Sequence, residues 1–228
     1  MEIRMYPSFS EVFTTKELLG IFYPLCTVSE NLHFVSSNGL WMDEKYESES
    51  NSFEYTKFDF KNGKYNFKGD IRLYKGYEYA KLIFPILEND FETNGKNYLQ
   101  EKLKTKLYLK RIKKLLPLQK IDDIDLEYYL ETFYEFQINK LNYNLNGKFG
   151  EFAHLIEGWG KHESPIVYED DVNSDARLQI QDNTNVNTLK DYFFIGRVVG
   201  HEFFRDGNDS VLYFNEKENK VLSFNYYD

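Results

Sequence analysis

The stretch that decides the fold class is SFEYTKFDFKNGKYNFKGDIRLY, residues 52–74. Asn62 and Gly63 at its centre are a residue pair that readily adopts the two positive φ angles of a type I′ turn. Apolar side chains are spaced regularly on both sides of this pair: Phe58, Phe60, Tyr65, Phe67, Ile71 and Leu73. Alternation of apolar and polar residues around Asn-Gly predicts a β-hairpin with one buried aromatic face.

A second hairpin is predicted near the C-terminal end of the sequence. VLYFN from residue 211 and KVLSFNY from residue 220 flank the turn sequence EKEN. Four earlier segments are also short and rich in β-forming residues: PIVYE, RLQIQ, DYFFIGRVVG and EFFRD, which start at residues 165, 177, 191 and 202. These segments predict an antiparallel sheet that the 52–74 hairpin joins.

The first hundred residues contain two helical patterns. Thr14 and Glu17 have the spacing of a capping box, so a short helix is expected to begin there and to end near Pro24. Residues 77–92 have apolar residues at helical spacing, but Pro85 lies among them. Because proline costs ~3 kcal/mol in a helix interior, two short elements or a kinked helix are expected.

Two further helical patterns follow, and their charges are opposite. The first has an apolar stripe with lysines between its members: Leu99, Leu103, Leu107, Ile112 and Leu116. Pro117 ends this basic helix. The second begins at acidic residues that suit the positive end of a helix, Asp125 among them, and it ends at Asn146-Gly147. Neighbouring helices of this kind can pack as a helical hairpin.

These elements place the chain in the α+β class, with antiparallel β-sheets and a central helical segment packed against them. Its 228 residues suit a single domain, residues 1–228. Within that domain we distinguish a hairpin-containing part (1–95), a helical segment (96–148) and a β-rich part (149–228).

The charge of the chain limits the classes of partner. The net charge is −9, yet residues 96–120 hold nine Lys or Arg against one acid. An acidic body disfavours binding to a nucleic-acid backbone and favours a basic protein partner. The basic stretch that begins at Lys102 and ends at Lys114 has two interpretations. It is either an amphipathic helix for nucleic-acid, membrane or calmodulin-like binding, or a solvated helix face over a leucine stripe.

The location of the protein is predicted from what the sequence does not contain. The first ten residues have no continuous apolar run of the kind found in signal peptides, and the longest apolar runs are far shorter than a membrane span. Cys26 is the only cysteine and lies in an apolar context, which is typical of a small buried residue. We expect a cytoplasmic bacterial protein without a membrane segment.

The sequence contains few groups of residues suited to catalysis or metal binding. The best local group of ligand types is His201, Glu202, Asp206 and Asp209, which raises the hypothesis of a metal-assisted hydrolase. The opposing interpretation is a turn in which Asp206 or Asn208 bonds its own backbone and Gly207 takes a positive φ. Phosphate-binding glycine loops and nucleophile motifs are missing from the sequence, so no catalytic, metal or cofactor-binding residue is assigned.

Candidate contact residues lie in one region. Trp159 stands between two glycines, where it serves either as an exposed anchor or as a core residue beside a turn. A run of carboxylates follows: Glu169, Asp170, Asp171 and Asp175. Acid–base catalysis needs two acids in different environments, whereas acids in one loop have similar environments, so this run suits docking of a partner better.

The segments HLIEGWGKHESPI, from residue 154, and DYFFIGRVVGHEFFRDGNDSVLYF, from residue 191, resemble the YwqG-like family of bacterial proteins. His154, Gly158 and Trp159 match one element of that family, and Asp206-Gly207 matches another. The C-terminal residues also resemble the end of the SUKH superfamily of immunity-type proteins. Both resemblances imply an α+β protein from a toxin–immunity locus, without an active site that carries over.

The sequence therefore predicts a non-catalytic, acidic protein-binding module, an immunity protein that masks a basic toxin domain. A metal-assisted hydrolase and a nucleic-acid-binding protein are the alternatives.

Overall fold

The structure is a computed structural model that describes residues 2–28, 31–101, 107–116, 124–147, 166–168, 173–174, 176–177, 189–204 and 206–226. Within these residues it contains two antiparallel sheets and four α-helices. The predicted α+β class is confirmed. No described helix has the length and apolar character needed to cross a membrane.

The strands form one small and one larger sheet. The small sheet has the order β1-β2-β3, with β1 Arg4–Met5, β2 Tyr23–Val28 and β3 Leu32–Ser36. The larger sheet has the order β5-β4-β9-β8-β7-β6, with β4 Tyr55–Lys61, β5 Lys64–Phe67, β6 Ile166–Val167, β7 Phe193–Val198, β8 Asp209–Asn215 and β9 Lys220–Tyr226. Both predicted hairpins are therefore present, and β4 pairs with β9 as expected.

The turn chemistry of the first hairpin follows the prediction. Asn62 and Gly63 have φ angles of 53° and 73°, as a type I′ turn requires. The strands end earlier than the apolar spacing suggested, because Ile71–Leu73 is a 3-10 turn whose preceding residue, Asp70, accepts a hydrogen bond from the Arg72 N–H. Ile71 and Leu73 are thus not strand residues.

Side chains of the larger sheet seal the open edge of the small sheet. Among the described strands, β3 pairs only with β2, so its outer backbone groups have no strand partner there. The Tyr65 hydroxyl accepts from the His33 N–H and donates to the His33 carbonyl, each at 2.7 Å. The Ser210 hydroxyl donates to the Val35 carbonyl at 3.0 Å. These bonds satisfy buried backbone groups and join the two sheets.

The first helix lies before the predicted one. Helix α1 is Phe9–Val12, and its capping box is Ser8 with Glu11, whose carboxylate accepts from the Ser8 N–H at 2.7 Å. Thr14 caps no helix, because its N–H donates to the Tyr65 carbonyl at 3.0 Å in a bridge to the hairpin. Pro24 lies inside β2 next to a bulge. The prediction of a helix from Thr14 to Pro24 is wrong.

Helix α2, Tyr77–Gln100, is continuous through Pro85. Of the two expected alternatives, two short elements are wrong, because burial of Ile83, Phe84 and Leu87 around the proline offsets its cost. The kinked helix stays a prediction. The predicted basic helix is also divided differently. Its first residues belong to the end of α2, and helix α3 is Leu107–Leu115.

Helix α4, Leu126–Asn146, has the predicted ends. The Asp125 side chain accepts from the Tyr128 N–H at 3.1 Å, and Gly147 has a φ of 68°. The helix packs against α2, where the Phe84 and Phe133 rings meet edge to face with centroids 5.5 Å apart. The helices and one face of the larger sheet share the main core, while Tyr213 and its neighbours form a second cluster on the other face.

Candidate functional site

The corner between β7 and β8 contains the DGND sequence at residues 206–209. Asp209 is the first residue of β8, and its carboxylate lies 2.8 Å from Arg197 Nη1. The side chains of this pair are only 9% and 11% exposed. The Gly200 N–H also donates to Asp209 at 2.8 Å. Asp209 therefore fixes the 3-10 turn Gly200–Glu202 against β8.

The metal hypothesis gains no support from this arrangement. His201 and Asp206 are exposed, Glu202 is buried, and Asp209 is engaged in its ion pair. Among the described residues there is no group of three or more His, Cys, Asp or Glu side chains placed to hold a metal ion. The four residues are thus close in sequence without converging on one point.

Two local predictions at this corner are wrong. EFFRD forms no strand in its described residues, since Gly200–Glu202 is a 3-10 turn and Phe203 and Phe204 are core residues after it. Gly207 does not have a positive φ. It is needed for close packing, because a Cβ there would lie 2.9 Å from the Phe204 ring. The corner is held by packing as well as by hydrogen bonds.

A cleft of about 190 Å³ lies beside this corner, and we call it the Trp41 cleft. It is formed where the loop after β3 meets the start of α4 and the end of the DGND corner. Its lining residues are Ser36, Ser37, Asn38, Leu40, Trp41, Met42, Phe53, Tyr128, Asn208 and Asn225. The Trp41 side chain is 58% exposed, which is unusual for the largest apolar side chain.

A chain of hydrogen bonds fixes the aromatic wall of the cleft. The Trp41 and Tyr128 rings lie against each other with centroids 5.4 Å apart. The Tyr128 hydroxyl donates to the Asn38 side-chain oxygen at 2.6 Å, and the Asn38 amide donates to the Asp206 carbonyl at 2.7 Å. The loop, α4 and the corner are thereby tied together. The Tyr128 ring against which Trp41 packs is therefore held by hydrogen bonds to the loop and, through Asn38, to the corner.

The backbone of the loop that carries Trp41 also helps to position this residue. Gly39 has a φ of +97°, a conformation that favours glycine, and Thr132 of α4 would lie 3.0 Å from a Cβ at this position. The Trp41 carbonyl accepts from the Lys75 N–H at 2.8 Å. Gly39 therefore brings the loop close to α4, and Lys75 holds the tryptophan backbone from the other side.

The chemistry of the Trp41 cleft is neutral. Its polar groups are the amides of Asn, the hydroxyls of Ser and Tyr128 and the indole N–H of Trp41, and none of the described residues that line it is Asp, Glu, His, Lys, Arg or Cys. Such a site offers stacking and hydrogen bonding but no strong acid, base or nucleophile. The described lining is suited to recognition by stacking and hydrogen bonding.

The contact residues predicted from the sequence lie outside the described residues: Trp159, Glu169, Asp170, Asp171 and Asp175. The same holds for the first part of the basic stretch, including Lys102, whereas Lys114 lies in α3. An isolated Trp41-Met42 pair in a polar segment is a sequence signal for the Trp41 cleft, but tryptophans are more often buried. Cys26 is fully buried, and burial raises the pKa of its thiol, as expected of an inert core cysteine.

Comparison of the chain with protein-family models, curated proteins and solved structures finds no match.

Proposed function

We propose that the chain is a non-catalytic protein-binding module that holds a side chain of its partner against Trp41. The observation that carries this proposal is the exposed Trp41 ring, supported by the hydrogen bonds from Tyr128 through Asn38 to Asp206. Tryptophan and tyrosine are the residues most enriched at the energetic centres of protein interfaces. A rigid anchor loses little conformational entropy on binding.

Charge supports a basic partner. The net charge of −9 attracts cationic surfaces over a distance set by salt screening. Outside the neutral lining, exposed Asp206 and Asp125 adjoin the hydrogen-bonded residues, and exposed Lys75 adjoins Trp41. Masking a basic toxin domain by occlusion, as an immunity protein does, is one function that this combination would serve.

Affinity capture with matched variants tests the proposal. Wild type, Trp41→Ala and Leu82→Ala are immobilised and exposed to lysate of the source organism. Leu82 is the control because its side chain is 64% exposed on α2 and does not line the Trp41 cleft. A protein retained by wild type and Leu82→Ala, but not by Trp41→Ala, is the expected result. Equal retention by all three variants, or no retained protein, would overturn the proposal.

A further inference from the structure

A second cavity lies between the C-terminal half of α2 and helix α3, and its volume is about 460 Å³. Each helix contributes one face at the i, i+3, i+4, i+7 spacing. The lining residues are Asn94, Asn97, Tyr98, Gln100 and Glu101 from α2 and the residue that follows it, and Leu107, Lys110, Arg111 and Lys114 from α3. We call this the α2–α3 cavity, and it is separate from the Trp41 cleft.

The lining of the α2–α3 cavity is basic although the protein is acidic. Its described lining residues include three cations, Lys110, Arg111 and Lys114, and one carboxylate, Glu101. Neither lysine makes an ion pair with a described residue. Lys113, on another face of the same helix, instead lies 3.8 Å from Glu127. Within the described part of the chain, the lysines of α3 without an ion pair are therefore the two that line the cavity.

A buried carboxylate positions the arginine. Arg111 Nε donates to Asp90 at 3.1 Å, and the Asp90 side chain is only 2% exposed. The hydroxyls of Tyr98 and Tyr134 each donate to the same carboxylate at 2.7 Å. Arg111 thus has one N–H group fixed, while its terminal nitrogens donate to no described residue. A guanidinium held in this way is ready to bind an oxyanion with its free edge.

The helix dipoles contribute little to the charge preference of the α2–α3 cavity. The first residue of α3, Leu107, lines the cavity and brings the positive helix end to it, but Gln100 and Glu101 bring the negative end of α2. These two dipoles oppose each other. The side-chain cations therefore determine the sign of the ligand.

We propose that the α2–α3 cavity binds a small molecule carrying a phosphate or diphosphate group. Lys110, Arg111 and Lys114 supply the charge, and the side-chain amides of Asn97 and Gln100 supply further hydrogen-bond donors. The cavity has room for a phosphate with an attached group the size of a sugar. A nucleic-acid chain fits less well, because the net charge of −9 repels a long polyanion outside the cavity.

Calorimetric titration with pyrophosphate tests this proposal, with sulfate at equal ionic strength as the reference anion. Lys110→Gln and Lys114→Gln should each weaken pyrophosphate binding by about tenfold, since each removes a charge-assisted contact. Lys113→Gln removes the same charge from the same helix outside the cavity and should leave binding unchanged. Circular dichroism of each variant verifies that the overall helix content of the protein is retained.

Three results would overturn the proposal. The first is the absence of pyrophosphate binding at millimolar concentration. The second is an equal loss of affinity in Lys113→Gln, which would indicate a general charge effect. The third is tighter binding of a mixed-sequence single-stranded oligonucleotide than of pyrophosphate, which would assign the patch to nucleic acid.

Discussion

Substitution of Tyr65 by phenylalanine tests how the two sheets are joined. The ring is fully buried and stacks on Phe58 with centroids 5.1 Å apart, so the phenylalanine ring keeps this packing. Only the hydroxyl is lost. That hydroxyl makes the two 2.7 Å bonds to the backbone N–H and carbonyl of His33 on the open edge of β3.

The expected cost follows from the two backbone groups that lose their partner. An unsatisfied buried donor or acceptor costs ~1–3 kcal/mol, so two of them give about 2–6 kcal/mol. A central value of about 4 kcal/mol corresponds to a fall in Tm of roughly 8–16 °C for a domain of this size. This is a large share of the ~5–15 kcal/mol that stabilises a typical domain.

Urea denaturation followed by circular dichroism measures the loss, and Tyr6→Phe is the matched control. Tyr6 is also buried, but its hydroxyl makes no hydrogen bond with a described residue. Its removal should be neutral or slightly stabilising, because no bond is lost and a buried polar atom is removed. The reasoning is refuted if Tyr65→Phe changes the free energy of unfolding by less than about 0.5 kcal/mol. It is also refuted if Tyr65→Phe and Tyr6→Phe lower the free energy of unfolding by the same amount.

Three further substitutions probe other parts of the molecule. Asp90→Asn should lower the free energy of unfolding by about 3 kcal/mol, measured in urea, because the buried tyrosine hydroxyls and Arg111 lose a charged acceptor; a change below about 1 kcal/mol would contradict this. Burial lowers the pKa of His33 below its usual 6.5. Near and below that pH the unfolded chain therefore binds more protons than the folded chain, and Tm should fall as the pH is lowered from about 7 to about 5. This dependence of Tm on pH should be weaker in His33→Gln. An equal dependence in the variant and in wild type would contradict the prediction. Gly200→Ala should cost about 1–3 kcal/mol, since a Cβ would lie 2.2 Å from the Gly207 carbonyl oxygen; a Tm equal to wild type would show that the corner is looser than described.

Elements with strong local chemistry were predictable from the sequence. The Asn62-Gly63 turn, the terminal hairpin and both ends of α4 are set by residues adjacent to them. In each case the residue that forms the turn or cap lies within a few positions of the element it defines. Tertiary packing agrees with these local preferences rather than opposing them.

The wrong predictions concern elements whose structure depends on contacts between residues far apart in the sequence. Thr14 bonds to Tyr65 rather than capping a helix, and core packing around Pro85 keeps α2 continuous. Neither contact is visible in a short window of sequence. The Trp41 cleft was missed for the same reason, because Asn38 and Tyr128 are 90 residues apart along the chain.

The central claim is that Trp41 anchors a protein partner, and the Kd of the captured partner for Trp41→Ala tests it most directly. Loss of an interface anchor costs ~2–4 kcal/mol, so calorimetry should show binding about 30- to 1,000-fold weaker than wild type. Leu82→Ala should bind as wild type does. A Trp41→Ala variant that binds within about twofold of wild type would contradict the account.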